Sequence, residues 1–202
     1  MDFETIDNVY RSRKTLMDIL EMRGYNTEPF SNFSPLEVAA ASVSETFAPL
    51  SFIATSKTDP TKFCDVRYTR GLRQRMASFF EKDEDPKTEI ILMTLDPVGD
   101  IHHQLAFRLF QRGIRASFFY IPYIVTNPLL HTLVPKHELV PADEEKALMD
   151  KYHIRSKSKF PIIRFHVDPI VRILGGVPGN IVKITRPSLS ALEAETYRIV
   201  AP

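Results

Sequence analysis

The sequence predicts an α/β fold, α+β overall, in two parts: a layered amino-terminal domain at residues 1–130 and a small mixed domain at 131–202. Two observations support this prediction. Between residues 90 and 120 a strand, a helix and a second strand follow one another, and this order implies a right-handed crossover and a parallel pair. The last quarter of the chain contains two short runs with the alternation of strands, which indicates a second sheet.

The amino-terminal elements follow from local patterns. Apolar residues repeat at helical spacing over residues 6–23, and Gly24 is well placed to end that helix. Ser34 and Glu37 enclose Pro35 in the pattern of a capping box, which predicts a helix continuing to residue 43. The other predicted elements are strands at 50–55, 62–68, 90–93 and 114–120, helices at 71–80 and 101–111, and a polar turn at 82–87.

The boundary between the two parts is predicted within residues 128–140. Pro128, Pro135 and Pro141 interrupt the chain there, and no long regular element is expected. A helix at 143–152 should follow. We therefore divide the chain between residues 130 and 131.

The closing elements have clear start and stop signals. Asp168 and Pro169 predict the cap and first residue of a short helix. The final strands are predicted at 181–184 and 196–200, paired with each other. Pro187 has no amide to donate to a neighbouring strand, so we expect it to end the first of them.

Basic side chains surround this closing pair. Lys183, Arg186 and Arg198 form a fringe around an apolar unit, and Tyr197 should face away from Arg198 because successive strand residues alternate. Such a fringe suits an acidic partner surface, and it equally suits simple solvation. The pattern alone leaves both interpretations open.

Charge differs between the two parts. Residues 1–130 contain 15 Lys and Arg against 17 Asp and Glu, a net of −2, whereas 131–202 contain 11 against 8, a net of +3. A protein that binds DNA without sequence preference normally has a larger excess of positive charge. We therefore expect that this chain does not hold nucleic acid by itself.

Several ordered strings resemble one family. Residues 179–188 and 196–200 resemble the end of the fifth subunit shared by the eukaryotic nuclear RNA polymerases and of its archaeal counterpart. Residues 131–137 resemble the His-x-Leu-Val-Pro-x-His element of that family, and 168–172 its Asp-Pro-Val-x-Arg turn and helix. Residues 13–25 resemble the opening helix of the eukaryotic form, which has an amino-terminal domain that the archaeal form lacks. An ordered set of matches is more specific than any single motif.

The resemblance implies a non-catalytic subunit of a multisubunit DNA-directed RNA polymerase. The carboxyl-terminal domain would dock on the largest subunit as an assembly module, beside other polymerase subunits. The amino-terminal domain, akin to the restriction-endonuclease fold, would form part of a jaw near downstream duplex DNA. Matching positions suggest these subunit-interface residues: His131, Pro135, His137, Arg172, Lys183, Arg186 and Arg198. Asp168, Pro169 and Tyr197 are expected to serve the fold.

The jaw segment departs from its relatives. Where the eukaryotic form has a Thr-Pro-Ser-Ala turn, this chain has residues 97–103, including Asp100, which would repel phosphate. Specific DNA contacts are therefore not transferred. Arg70, Arg73 and Arg75 are the better candidates to follow a phosphate backbone, with a solvated helix face as the alternative. The DNA-proximal candidates are Arg70, Arg73, Arg75, His102 and His103.

Catalytic and metal-binding motifs are incomplete. His137-Glu138 begins a zinc-binding His-Glu-x-x-His pattern, but the fifth position is Pro141. His102 and His103 are adjacent, so on a helix they point about 100° apart and do not share a metal. A metal-dependent nuclease needs an Asp and a Glu-x-Lys on adjoining strands, and the Glu-x-Lys at residues 144–146 lies in a predicted helix of the other domain. We expect no catalytic residue, no metal, no cofactor and no small-molecule substrate.

The remaining observations concern cellular context. Cys64 has no second cysteine to pair with and is expected to be a buried thiol. The acidic start and the lack of a long apolar run predict an intracellular protein outside the membrane. It would accompany its polymerase in the nucleus or, if a large cytoplasmic DNA virus encodes it, in host cytoplasm and virion. Insertions near Lys159 and Phe165, relative to the usual spacing of the family, would fit a viral homologue. A free-standing adaptor of the same fold is the alternative interpretation of the function.

Overall fold

Two compact units make up the chain, Met1–Thr126 and Asn127–Pro202. This division falls four residues before the predicted boundary, and the assignment of each unit as a domain stays a prediction. Each unit combines helices with its own four-stranded sheet, which confirms the predicted α/β fold class. The residues that the computed structural model describes are 3–41, 47–71, 80, 88–188 and 192–202.

The first helix, α1, covers Phe3–Met22 and confirms the helix predicted at 6–23. Gly24 ends it as predicted. At φ +84° this glycine adopts a left-handed backbone, and its amide donates to the Glu21 carbonyl at 2.9 Å. The buried face of α1 contains polar as well as apolar side chains. Its members are Val9, Ser12, Arg13, Thr15, Leu16, Ile19 and Leu20.

Two short helices follow α1. The single turn α2, Glu28–Ser31, was not predicted from the sequence. Four residues are too few to show a helical period. Helix α3 covers Pro35–Ala41, and the predicted capping box is present. The Ser34 amide donates to Glu37 Oε2 at 2.8 Å, and the Glu37 amide donates to Ser34 Oγ at 3.3 Å. The predicted end at residue 43 lies outside the described residues.

The sheet of the first unit has the order β1-β2-β3-β4. Strand β1 pairs antiparallel with β2, whereas β2, β3 and β4 run parallel. Helix α4, Asp100–Gln111, connects β3 to β4, so the predicted strand, helix and strand do form a parallel pair. The strands are β1 Phe52–Thr55, β2 Phe63–Thr69, β3 Thr88–Thr94 and β4 Arg115–Tyr120.

Strand β3 lies inside this sheet and is buried on both faces. Its four central residues, 90–93, are fully buried, as their continuous apolar run predicts. Leu50 belongs to a 3-10 turn before β1 rather than to the strand predicted at 50–55. The helix predicted at 71–80 is described only at its two end residues, and the turn predicted at 82–87 lies outside the described residues.

The sheet of the second unit has the order β5-β7-β8-β6. Strand β7 pairs antiparallel with both β5 and β8, and β6 runs parallel to β8. Two helices belong to this unit, α5 at Glu145–Lys151 and α6 at Pro169–Leu174. Helix α5 confirms the helix predicted at 143–152, though it is shorter. The strands are β5 Lys136–Leu139, β6 Ile162–Arg164, β7 Ile181–Ser188 and β8 Leu192–Ala201.

Strand β7 passes through Pro187, so the prediction that this proline ends the strand is wrong. Pro187 lies opposite Glu193 in the pairing with β8. In an antiparallel pair only every second residue exchanges hydrogen bonds with its partner. On the other side, β5 pairs with β7 only as far as Thr185, so Pro187 occupies an edge position where an amide is not needed.

Strand β5 is present in the structure but was not predicted from the sequence. The prediction places no long regular element between residues 128 and 140. The strand has four residues, too few for alternation to identify, and the strand β7 that it pairs with lies more than 40 positions further along the chain. Helix α6, in contrast, begins as predicted. Asp168 caps it, and Gly175 follows it in the left-handed conformation at φ +70°.

Candidate functional site

One face of the second unit's sheet contains a groove that brings together four of the seven predicted interface residues: Pro135, His137, Arg186 and Arg198. The groove has a volume of about 490 Å³ and is open to solvent. It spans the sheet, because β5, β6, β7 and β8 all contribute residues. The remaining residues that line it are Leu133, Val134, Ile163, Asp168, Ile170 and Ile184.

Strand alternation decides which side chains reach this groove. Ile184 and Arg186 lie two positions apart on β7 and therefore share a face. Arg198 belongs to the same face of the neighbouring strand β8. Lys183 and Tyr197, which pair opposite each other, point to the other face. The predicted opposition of Tyr197 and Arg198 is confirmed.

The floor of the groove is apolar and the rim carries charge. Ile163, Ile170 and Ile184 are buried and form the floor. Leu133 stands on the rim with 84 % of its surface exposed, which is unusual for a large apolar side chain in a lined groove. A ligand that fits this surface has to cover apolar area as well as satisfy charge.

His137 is held in a single orientation. Its Nδ1 lies 2.6 Å from the Pro135 carbonyl oxygen. Because a carbonyl can only accept, Nδ1 carries the proton and donates it to this oxygen. The bond ties His137 of β5 to Pro135, the residue just before the strand, and the ring lines the groove.

The two arginines of the groove differ in their contacts. Arg198 is half-buried, and its Nη1 donates to the Ile162 carbonyl at 3.1 Å. The side chain of Arg186 is exposed, and its guanidinium has no ion pair within the part of the chain that the structure describes. The positive charge of Arg186 is thus available to an external group.

Asp168, the acid of the groove, is engaged in its helix cap. One oxygen, Oδ1, accepts from the Ile170 amide at 2.9 Å and from the Val171 amide at 3.0 Å. Arg172 follows one turn later but does not line the groove. Burial lowers the pKa of Arg172 to about 10, against the opposing influence of the Asp168 charge. Asp168 thus serves the cap of α6, and Arg172 lies away from the groove.

Lys183 lies on the opposite face and is paired there. Its Nζ lies 2.5 Å from Glu195 Oε1, and the Tyr197 hydroxyl donates to the other Glu195 oxygen at 2.9 Å. The hydrogen bond to Glu195 raises the pKa of Lys183, and the same bond lowers the pKa of Glu195. Burial and the bond to Glu195 raise the pKa of Tyr197 to about 12. The structure therefore separates Lys183 from the groove arginines.

His131 is exposed and lies just before the groove. Its Nδ1 accepts from the Leu133 amide at 3.2 Å, so the ring helps to hold the turn that carries Leu133. The imidazole itself does not line the groove. Of the seven predicted interface residues, the structure brings four together and leaves His131, Arg172 and Lys183 outside.

Comparison with known proteins decides the family. A family model described as RNA polymerase Rpb5, C-terminal domain, matches residues 126–200. The DNA-directed RNA polymerase subunit Rpo5 of Methanosarcina barkeri is 49 % identical over 70 residues, which span 35 % of this chain and 87 % of that protein. The chain belongs to the Rpb5 family of RNA polymerase subunits. The predicted family, the function as an RNA polymerase subunit and the link to transcription are thereby confirmed.

Further members of the Rpb5 family match at different lengths. Subunit Rpo5 of Pyrococcus horikoshii is 42 % identical over 74 residues, which are 37 % of this chain and 88 % of that protein. The protein named DNA-directed RNA polymerases I, II, and III subunit rpabc1, from Dictyostelium discoideum, is 27 % identical over 201 residues. That match spans 97 % of this chain and 98 % of the relative. The full-length similarity is thus to a eukaryotic member of the Rpb5 family.

The DNA-proximal candidates lie in the unit outside the Rpb5 C-terminal match. Arg70 is half-buried, and its guanidinium lies over the Phe47 ring, 4.6 Å from the ring centre. This cation–π contact gives Arg70 a structural role. Arg73 and Arg75 lie outside the described residues and stay predictions from sequence.

His102 belongs to the interior rather than to a DNA-facing surface. Its side chain is 1 % exposed and its ring centre lies 5.6 Å from that of Phe118. The Gly99 amide donates to its Nδ1 at 3.1 Å, so the imidazole caps the start of α4. The prediction that His102 faces DNA is therefore wrong, whereas the half-buried His103 stays a predicted DNA-proximal residue.

The described residues contain no cluster suited to a metal ion, because no three His, Cys, Asp or Glu side chains among them lie close enough together. Cys64 is buried, as predicted, and burial raises the pKa of its thiol well above the ordinary value. None of the described helices combines the length and apolar character needed to cross a membrane.

Sequence reasoning missed the apolar part of the groove. Leu133, Ile163 and Ile170 line it together with the predicted polar residues. One signal was present: Leu133 and Val134 form an apolar pair in the connection at 128–140, where no long regular element is predicted. Apolar residues in such a connection indicate a contact surface.

Proposed function

We propose that this protein is a non-catalytic subunit of a DNA-directed RNA polymerase and docks on its largest subunit through residues 131–202. The observation that carries the proposal is the 49 % identity to Rpo5 over 87 % of that protein. The matched region, 126–200, contains the groove and all seven predicted interface residues.

The surface of the second unit supports a docking role. Its groove has an apolar floor, an exposed leucine at the rim and two arginines, the mixture that protein interfaces use. Pro135, His137, Arg186 and Arg198 are the proposed contact residues. For Lys183 we favour pairing within the chain, because Glu195 already neutralises its charge.

The first unit is proposed to lie near downstream duplex DNA in the assembled enzyme. The Dictyostelium relative, which matches across nearly the whole chain, supports a role for both units in one polymerase. Arg73, Arg75 and His103 are the proposed DNA-proximal residues. With two more acids than bases at residues 1–130, the unit is expected to need the rest of the enzyme to hold DNA.

A structural rather than catalytic role agrees with the use of the interior acids. Glu89 accepts from Arg23 and from Tyr25, and Asp168 caps α6. We propose that the protein needs no cofactor and acts on no small molecule. It would be found where its polymerase works, in the nucleus of a cell or in the host cytoplasm and virion of a large DNA virus.

Copurification tests the proposal directly. The tagged full-length chain, expressed in its natural host, should recover the two large polymerase subunits in fixed stoichiometry through a sizing column. Recovery of the chain without large subunits would overturn the proposal and favour a free-standing adaptor. Metal-dependent cleavage of DNA by the purified chain, lost on replacing a carboxylate, would favour a nuclease instead.

A further inference from the structure

We infer that the groove binds an extended acidic segment of the largest subunit, with two carboxylates that pair with Arg186 and Arg198 and an apolar side chain between them. The inference rests on the proposed function and goes further by naming the chemistry of the partner segment. It follows from the charge of the groove, the spacing of its arginines and the shape of its floor.

Charge complementarity requires an acidic partner. Arg186 and Arg198 each bring a permanent positive charge to the groove. Asp168 is the acid among the lining residues, and two backbone amides already share its Oδ1. Carboxylates are the protein groups that match a guanidinium fork in geometry and charge. The groove therefore selects acidic side chains over neutral or basic ones.

The spacing of the two arginines favours an extended ligand. Arg198 on β8 pairs opposite Val182 on β7. Val182 lies four positions before Arg186 on the same strand. Strand geometry then places the two Cα atoms about 14 Å apart. An extended segment covers this distance in about four residues, whereas a helix needs about nine.

The apolar floor of the groove determines which side chain the middle of the ligand should carry. Ile184 lies between Val182 and Arg186 on the groove face of β7, and it is buried. In an extended segment, side chains two residues apart point the same way. Acidic residues at positions i and i+4 can thus reach the two arginines while the side chain at i+2 meets Ile184. Leu133 at the rim adds apolar area that such a segment would cover.

Charge reversal in the full-length chain tests the inference. The probe is the purified largest subunit of the polymerase with which the wild-type chain copurifies. R186E is expected to raise the Kd for this subunit about tenfold, and R186E with R198E about a hundredfold. K183E is the matched control, because Lys183 lies on the opposite face of the same strand. Its Kd should change by less than about threefold.

Cross-linking identifies the partner atoms. R186K and R198K keep the positive charge and supply an amine that a carbodiimide can join to a carboxylate in contact with it. In the assembled polymerase, peptide mass spectrometry should find each variant linked to Asp or Glu of one largest-subunit segment, about four residues apart. The circular dichroism spectrum and melting temperature of each variant provide the check that it has folded.

The outcomes separate the inference from the proposed function. If the wild-type chain does not recover the largest subunit, the proposed function fails. If it does, but R186E with R198E binds as tightly as the wild type, the inference alone is overturned. Cross-links only within the chain, or to a helical segment, would also overturn it.

Discussion

Arg23 and Glu89 form a buried ion pair in the first unit, with Arg23 Nη1 donating to Glu89 Oε1 at 2.6 Å. Both side chains are about 5 % exposed. The second carboxylate oxygen accepts from the Tyr25 hydroxyl at 2.9 Å, and burial together with the Glu89 charge raises the pKa of that phenol well above its ordinary value. The network joins the residues that end α1 to the start of β3.

Removing one partner of this pair should be strongly destabilising. E89Q is expected to lower the free energy of unfolding by about 3 to 5 kcal/mol, because the Arg23 charge stays buried without its counter-ion. R23M with E89L should lose less than E89Q alone. The control is E21Q at the exposed Glu21–Lys57 pair, where a loss below about 1 kcal/mol is expected. Urea unfolding of the four proteins measures the effect; equal losses at both pairs would contradict it.

Arg13 is predicted to be a structural residue of α1. Its side chain is buried, its Nη1 donates to the Leu50 carbonyl at 2.7 Å, and its guanidinium lies over the rings of Phe33 and Phe52 at 4.2 and 4.7 Å. R13M should cost about 3 kcal/mol of stability, since it removes a charged hydrogen bond and the cation–π contacts with these rings and with Tyr68, 5.9 Å away.

The exposed Arg11 in the same helix offers the comparison for Arg13. R11M removes a 3.7 Å ion pair to Asp7 and should change stability by about 0.5 kcal/mol or less. Thermal unfolding followed by circular dichroism distinguishes the two variants. A melting temperature of R13M equal to that of R11M would show that the buried contacts contribute nothing.

The cap of α6 should be measurable by itself. D168A removes the acceptor for the Ile170 and Val171 amides and is expected to cost about 1 to 2 kcal/mol in urea unfolding. D168N keeps an oxygen acceptor and should retain most of that stability. D143A, at an exposed turn residue, is the control and should stay within about 0.5 kcal/mol of the wild type. Similar losses for D168A and D143A would reject the cap.

The Lys183–Glu195–Tyr197 cluster predicts a pH dependence. The folded pKa of Glu195 lies below its unfolded value, so the cluster stabilises the fold above that unfolded value and loses this contribution as pH falls through the folded pKa. E195Q should therefore flatten the fall in melting temperature between about pH 5 and 3.

The same variant, E195Q, should lower the pKa of Tyr197 from about 12, because the phenolate would no longer face a carboxylate. Tyrosine ring carbons followed by NMR across the alkaline range measure this change, and Y197F assigns the resonance. An unchanged Tyr197 pKa in E195Q would mean that burial alone sets it.

Arg73 and Arg75 are predicted to contribute to DNA grip in the assembled enzyme. R73A with R75A should weaken the polymerase–DNA complex and reduce the slope of log Kd against log salt by about one for each phosphate that is no longer neutralised. K57A with K62A, which removes two exposed lysines of the same unit, serves as the matched change of charge. An unchanged salt slope would count against a phosphate contact at these positions.

Local signals predicted much of this molecule. The end of α1 at Gly24, the Ser34–Glu37 capping box and the Asp168 cap all depend on groups within five positions of one another, so the sequence contains the whole interaction. The parallel pair of β3 and β4 followed from element order, and the buried face of β3 from its apolar run. The sequence motifs in the last two strands identified the family.

Local sequence signals could not predict interactions between residues that lie far apart in the chain. His102 became a buried cap because the start of α4 packs beside Phe118, sixteen positions away. Strand β7 continues past Pro187 because its pairing with β5 ends at Thr185, which the proline itself does not encode. Strand β5 exists only because β7 offers it an edge to pair with.

The sequence by itself determined the fold class, the caps, the family and the set of basic residues at the end of the chain. Only the tertiary structure decided which of them act together. It placed Arg186 and Arg198 in one apolar-floored groove and turned Lys183 to the opposite face, onto Glu195. The physical reason is that the alternation of side chains along a strand assigns each residue to one face of the sheet. Strand pairing and helix packing then decide which other residues lie against that face.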